Sequence, residues 1–137
     1  RIHPQGKGLQ ETIKNCLNKK DISIDYISSC ANSTNDLDKI EVYSLKQIFG
    51  NKLKKIPVSS IKSMFGETIA ASSGLQIASC IAAMEDSFIP PTINYKKPDP
   101  ELDLDFVPNN AQKKSIKNCL VTSFGPGSYN ASLCIGK

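Results

Sequence analysis

The stretch Ile56-Pro-Val-Ser-Ser-Ile-Lys-Ser-Met-Phe-Gly-Glu67 decides how the chain is read. Its first four residues form a short apolar run, the pattern of a strand buried in a parallel sheet. Upstream, residues 36–49 predict a helix that stops at Gly50. Leu37, Leu45, Ile48 and Phe49 make its inner stripe, and Glu41 falls on that same stripe. Before it, residues 24–28 read as a short strand. Leu9, Ile13, Cys16 and Leu17 follow i, i+4, i+7, i+8, which predicts an amphipathic helix over 8–18. Downstream, residues 68–84 are small, apolar and Ser/Ala-rich all round, as in a helix packed closely on every side. The consecutive prolines within 89–93 exclude helix and give an extended connection. Residues 97–100 and 107–110 are loops. Residues 119–124 and 131–135 make a closing strand pair around Gly125-Pro126-Gly127. Strands alternating with helices predict an α/β layered architecture with a partly parallel central sheet.

The 137 residues suit one domain, and the net charge of +4 is mild. Its lysines come in short runs such as Lys19-Lys20, Lys54-Lys55 and Lys113-Lys114. No basic stripe interleaves with aromatics, which argues against nucleic acid as a partner. A positive rim suits an acidic partner instead. No apolar run approaches a membrane span. Five cysteines are an odd number, so they do not close a complete disulfide framework within one chain. Cys16, Cys80, Cys119 and Cys134 lie in apolar stretches and read as small buried hydrophobes, which places the chain in a reducing, cytoplasmic compartment.

Three motifs carry a resemblance. They are Asp25-Tyr-Ile-Ser-Ser-Cys-Ala-Asn-Ser-Thr34, the stretch 56–67, and Ser123-Phe-Gly-Pro-Gly-Ser-Tyr-Asn-Ala131. With Pro90-Pro-Thr-Ile-Asn94, Pro98-Asp-Pro100 and Asp103-Leu-Asp-Phe-Val-Pro108 as further anchors, the chain resembles the C-terminal half of a β-ketoacyl-acyl-carrier-protein synthase. The resemblance implies a thiolase-like α-β-α half domain over 1–137 with a mixed central sheet. It also implies that the first strand is missing here and that an N-terminal half lies on a separate chain or fragment. Arg1-Ile-His-Pro-Gln-Gly-Lys-Gly8 matches a segment that precedes the family's first long helix.

In this family two imidazoles donate hydrogen bonds to a thioester oxygen as enolate charge develops during decarboxylation. The positions implied for them here read Cys30 and Glu67. Cysteine is a weak donor, so Cys30 is either a small residue filling the vacated pocket or a relocated thiolate nucleophile. An ionised carboxylate only accepts, so Glu67 is either a structural contact or, if its pKa is strongly raised, a neutral donor. His3, the chain's only histidine, reads as a surface residue. Lys62 and Glu41 match a supporting lysine and glutamate of the family, and an inward carboxylate needs a partner, so the two are expected to pair. In the third motif the family carries a gating phenylalanine where this chain has Pro126, whose fixed φ and compact ring suit no swinging gate.

Scaffold letters survive and chemical ones are replaced, the pattern of a chain-length factor, or ketosynthase-β, of a type II polyketide synthase. The resemblance then implies a catalytically inactive subunit that needs no cofactor and no metal. Its partners would be its own N-terminal half, a competent ketosynthase-α in a heterodimer, and an acyl carrier protein. Cys30 and Glu67 would line a vestigial pocket with Phe65, Phe124, Gly125, Pro126 and Gly127. An active but unorthodox β-ketoacyl synthase or acyltransferase, using Cys30 or a nucleophile on the upstream half, is the alternative.

Overall fold

Two apolar clusters on opposite faces of one sheet organise the molecule. The computed structural model describes residues 2–17, 22–125 and 127–137. The expected helix end at Asn18, the Lys19-Lys20 run and Pro126 therefore lie outside the described residues. Helix α1 (Lys7–Leu17) leads into strand β1 (Tyr26–Ser28), helix α2 (Asn35–Phe49), a 3-10 turn at Gly50–Lys55 and strand β2 (Val58–Ser59). A single helical turn, α3 (Lys62–Phe65), precedes α4 (Ser72–Asp86). Strands β3 (Phe88–Ile89) and β4 (Gln112–Lys113) form a small antiparallel pair. Strands β5 (Asn118–Phe124) and β6 (Asn130–Gly136) complete the main sheet.

That sheet runs β2-β1-β5-β6, with β1 parallel to both β2 and β5, and β6 antiparallel to β5. The mixed α/β architecture expected from the sequence is the one observed. Alternation along the strands sorts the core. Ile27 and Leu120 face one cluster with Leu9 and Ile13 of α1 and Leu45 of α2. Tyr26, Cys119 and Val121 face the other, with Cys80, Ala83 and Met84 of α4. Truncating such a fully buried leucine to alanine typically costs about 2–5 kcal/mol, so Leu9 and Leu45 fix α1 and α2 to the sheet, while Cys80, Ala83 and Met84 seat α4 on its other face.

Helix α2 ends at Gly50, which has φ of 52° and donates its N–H to the Lys46 carbonyl, so the glycine supplies a conformation other residues adopt at a cost. Helix α4 departs from expectation. It is not packed on every side: Ser72, Gln76, Cys80, Ala83 and Met84 are buried, whereas Leu75 and Ile81 are exposed. The i, i+4, i+8 row meets the sheet, and the small side chains around it leave the opposite face open. A positive-φ residue, Ile69, opens a 3-10 turn at Ile69–Ala71, so the α-helix begins later than the apolar pattern does.

Candidate functional site

Strands β1, β2 and β5 run parallel, so their carboxyl ends meet at one edge, where clefts of α/β sheets form. Here that edge carries Ser29-Cys30, Ser60 and Phe124. A cleft opens there in two lobes that share Ala31, Asn32, Asp38, Glu41, Lys62 and Glu67. The first lobe, about 270 Å³, runs between α2 and β2 toward Val42, Leu45, Val58 and Phe106. The second, about 480 Å³, is bounded by Cys30, Gln76, Phe124 and Tyr129.

Glu41 is 2% exposed and sits between the strand ends. Ser29 Oγ donates to its Oε2 at 2.6 Å, and Thr122 Oγ1 and the Cys30 N–H donate to Oε1. Burial pushes the Glu41 carboxyl up, and those hydrogen bonds partly offset the rise. The Cys30 Sγ lies 3.7 Å from Glu41 Oε2 and 4.0 Å from the Phe124 carbonyl. Burial first, and the Glu41 charge second, hold the Cys30 thiol well above the usual thiol range. The sulfur is therefore a neutral, weakly donating group directed at its own wall.

Glu67 is the opposite case. Lys62 Nζ donates to Oε2 at 2.8 Å and Asn32 Nδ2 at 3.0 Å, while Ser72 Oγ and the Ile69 N–H bind Oε1 at 2.9 and 3.0 Å. The Lys62 ammonium, with these donors, brings the carboxyl down to about 2. Of the two readings left open for Glu67, this geometry belongs to the structural contact. A protonated donor needs a shift of the other sign.

Lys62 and Glu41 do not pair. Among the described residues the Lys62 ion pair is with Glu67, and Glu41 takes uncharged donors. Gly66, at φ of 79°, reverses the chain after α3 and returns Glu67 over Lys62, where it competes at short range. The same reversal overturns the placement of Phe65. That ring is 62% exposed and lines neither lobe. Phe124 does border the cleft. Gly125 follows it, and a Cβ there would lie 2.8 Å from the Tyr129 hydroxyl, so the glycine lets that ring fold back over the turn. Gly127 has φ of 87°. His3 is exposed and holds its own turn, accepting the Gln5 N–H at Nδ1.

Sequence reasoning missed Ser29, Asn32, Ser72, Gln76, Thr122 and Tyr129. Two of them carried a signal: Thr122 interrupts an apolar strand run, and Gln76 stands on the buried i, i+4, i+8 row of α4. Its Nε2 donates to the Ser28 and Ser29 carbonyls at 3.0 Å each, which pins the end of β1. Among the described residues no group of three or more metal-ligating side chains gathers, and no helix is long and apolar enough to cross a membrane.

The family described as "Beta-ketoacyl synthase, C-terminal domain" matches residues 1–96. The chain belongs to this family. Among its relatives, the 3-oxoacyl-[acyl-carrier-protein] synthase 2 of Coxiella burnetii is 36% identical, over all of this chain and 34% of its own. A solved type II polyketide synthase acyl-carrier protein in complex with its ketosynthase bound to the hexaketide gives a TM-score of 0.93 at 30% identity. That match covers 98% of this chain and 34% of the other. The ishigamide ketosynthase/chain length factor gives 0.91 at 31%, with the same coverage. The fold is thus that of a thiolase-like ketosynthase C-terminal domain. The chain spans about a third of the length of the relatives it matches.

Proposed function

We propose that this chain is part of a chain-length factor, a catalytically inactive subunit that pairs with a competent ketosynthase in type II polyketide biosynthesis. In this reading an upstream half completes the subunit, an acyl carrier protein delivers the growing chain, and the cleft helps to shape the tunnel that holds it. The likeness to the two polyketide synthase structures supports the system. What carries the inactive role is the state of the two positions that the family resemblance reserves for imidazole. Each is engaged by its own wall: the Cys30 thiol faces Glu41, and Glu67 accepts from four neighbours.

The chemistry follows from charge. Decarboxylation of a malonyl thioester develops negative charge on the thioester oxygen, which needs a donor aimed at it. Glu67, ionised at neutral pH, presents only lone pairs. The Lys62 and Asn32 donors beside it are directed at Glu67. The buried Cys30 thiol keeps its proton, so it is a poor nucleophile, which argues against the relocated-thiolate alternative. In the assembled complex, Cys30→Ala should leave the rate and length of product formation unchanged within about twofold, as read by product profiling. Loss of turnover in that variant would overturn the reading and promote Cys30 to nucleophile.

A further inference from the structure

The five cysteines are not equivalent. Cys80, on the inner face of α4, and Cys119, on β5 beneath it, are fully buried, and Cys30 is buried at the cleft. Cys16, near the end of α1, and Cys134, within β6, are instead only half-buried. They correct the expectation that all four apolar-context cysteines are inert core fillers, because the expected stripe of α1 ends on the rim of the fold. Their sulfurs lie 2.8 Å apart although 118 positions separate them in sequence. A recess open to solvent exposes both, lined also by Thr12, Asn15 and Ser132. One turn earlier, the hydroxyls of Thr12 and Ser132 hydrogen-bond at 2.9 Å, so the same seam is held in register by a second contact.

We propose that Cys16 and Cys134 form an oxidation site, at which a hydroperoxide converts two thiols into one disulfide that ties α1 to β6. Two neighbouring thiols in an open recess, on elements already in register, need little backbone movement to join. Burial, then the neighbouring Cys16, push the Cys134 thiol up to about 12, so Cys134 keeps its proton at neutral pH and Cys16 reacts first. The Cys16 sulfur attacks a peroxide oxygen; the O–O bond breaks, an alcohol or water leaves with the proton, and a Cys16 sulfenic acid remains. The Cys134 sulfur then attacks the Cys16 sulfur. The S–O bond breaks, and water leaves carrying the Cys134 proton. Two thiols lose two electrons and the peroxide gains them. The link closes a long loop, which restrains the unfolded chain strongly.

The test is thiol mapping of the complete protein in its native state, treated with stoichiometric hydrogen peroxide, then denatured, alkylated and analysed as peptides. The expected result is a Cys16–Cys134 linked peptide and two fewer free thiols on this chain. Cys30, Cys80 and Cys119 should stay alkylatable, dithiothreitol should restore the lost thiols, and the thermal midpoint should rise by several degrees before reduction. In Cys134→Ser, dimedone should trap a Cys16 sulfenic acid. Both thiols remaining free, or Cys16 oxidised without a link to Cys134, would overturn the proposal. The wild-type map alone decides between these outcomes, so the test stands even where a variant fails to fold.

Discussion

Glu41 and Glu67 share one cleft yet are held in opposite ways, and the difference is a matter of donors. Glu41 is surrounded by hydroxyls and a backbone N–H, with no cation in contact among the described residues. Glu67 has an ammonium at 2.8 Å and a side chain 41% exposed. A double-mutant cycle on Lys62→Met and Glu67→Gln, read by thermal or denaturant unfolding, should therefore show coupling of about 0.2–1 kcal/mol, the range for a pair with one exposed member. The cycle on Lys62→Met and Glu41→Gln should be additive. Strong coupling in the second cycle would restore the pairing that the reversal at Gly66 prevents. The acid limb gives an independent check. The carboxyl of Glu67 is lower in the folded protein, about 2, than its ordinary 4.5. Its contribution is thus complete above about pH 4.5 and is lost as pH falls toward about 2. Glu67→Gln should flatten the stability profile across that window and lower stability above it, where the wild-type contribution is complete.

Helix α1 is seated by close approach at its first turn. Gly6 has φ of 60°, and a Cβ there would fall 2.1 Å from Ser44 Oγ and 3.3 Å from the backbone carbonyl of Ile40 on α2. Gly6→Ala should cost about 1–3 kcal/mol in unfolding free energy, because both the backbone and the helix contact must shift; a neutral result would show that α1 does not dock on α2 as described. The helices α1 and α2 and the strands β1, β2, β5 and β6 were legible in the sequence, since apolar periodicity and the Gly50 stop depend on local spacing alone. The α3 turn and the β3–β4 pair left no periodic signal. The site was legible in part. Cys30, Glu67 and Phe124 were placed at the cleft by their motifs, and Glu41 inside by its stripe. The partner of Lys62 was not legible, because it depends on the chain reversal at Gly66, which no periodicity records. Phe65 was misplaced for the same reason. Tyr129 was hidden in a turn motif, where its side chain reaches the cleft only because Gly125 leaves room.

At the scale of the molecule, β6 has a strand partner on one side only among the described residues. Ile69, 82% exposed, borders the second lobe of the cleft, and the exposed Phe65 stands outside both lobes. An open strand edge and exposed large side chains invite association. The inactive role proposed for this chain bears on what the complete protein does, on its own, with a malonyl thioester. Losing one enolate-stabilising donor typically costs on the order of a hundredfold in rate, and here both positions lack an imidazole. The most direct measurement is carbon dioxide release from malonyl-acyl-carrier protein by the complete protein, purified alone. The account predicts a rate equal to the protein-free background, unchanged by Cys30→Ala. Release well above background, abolished by Cys30→Ala or Glu67→Gln, would contradict it.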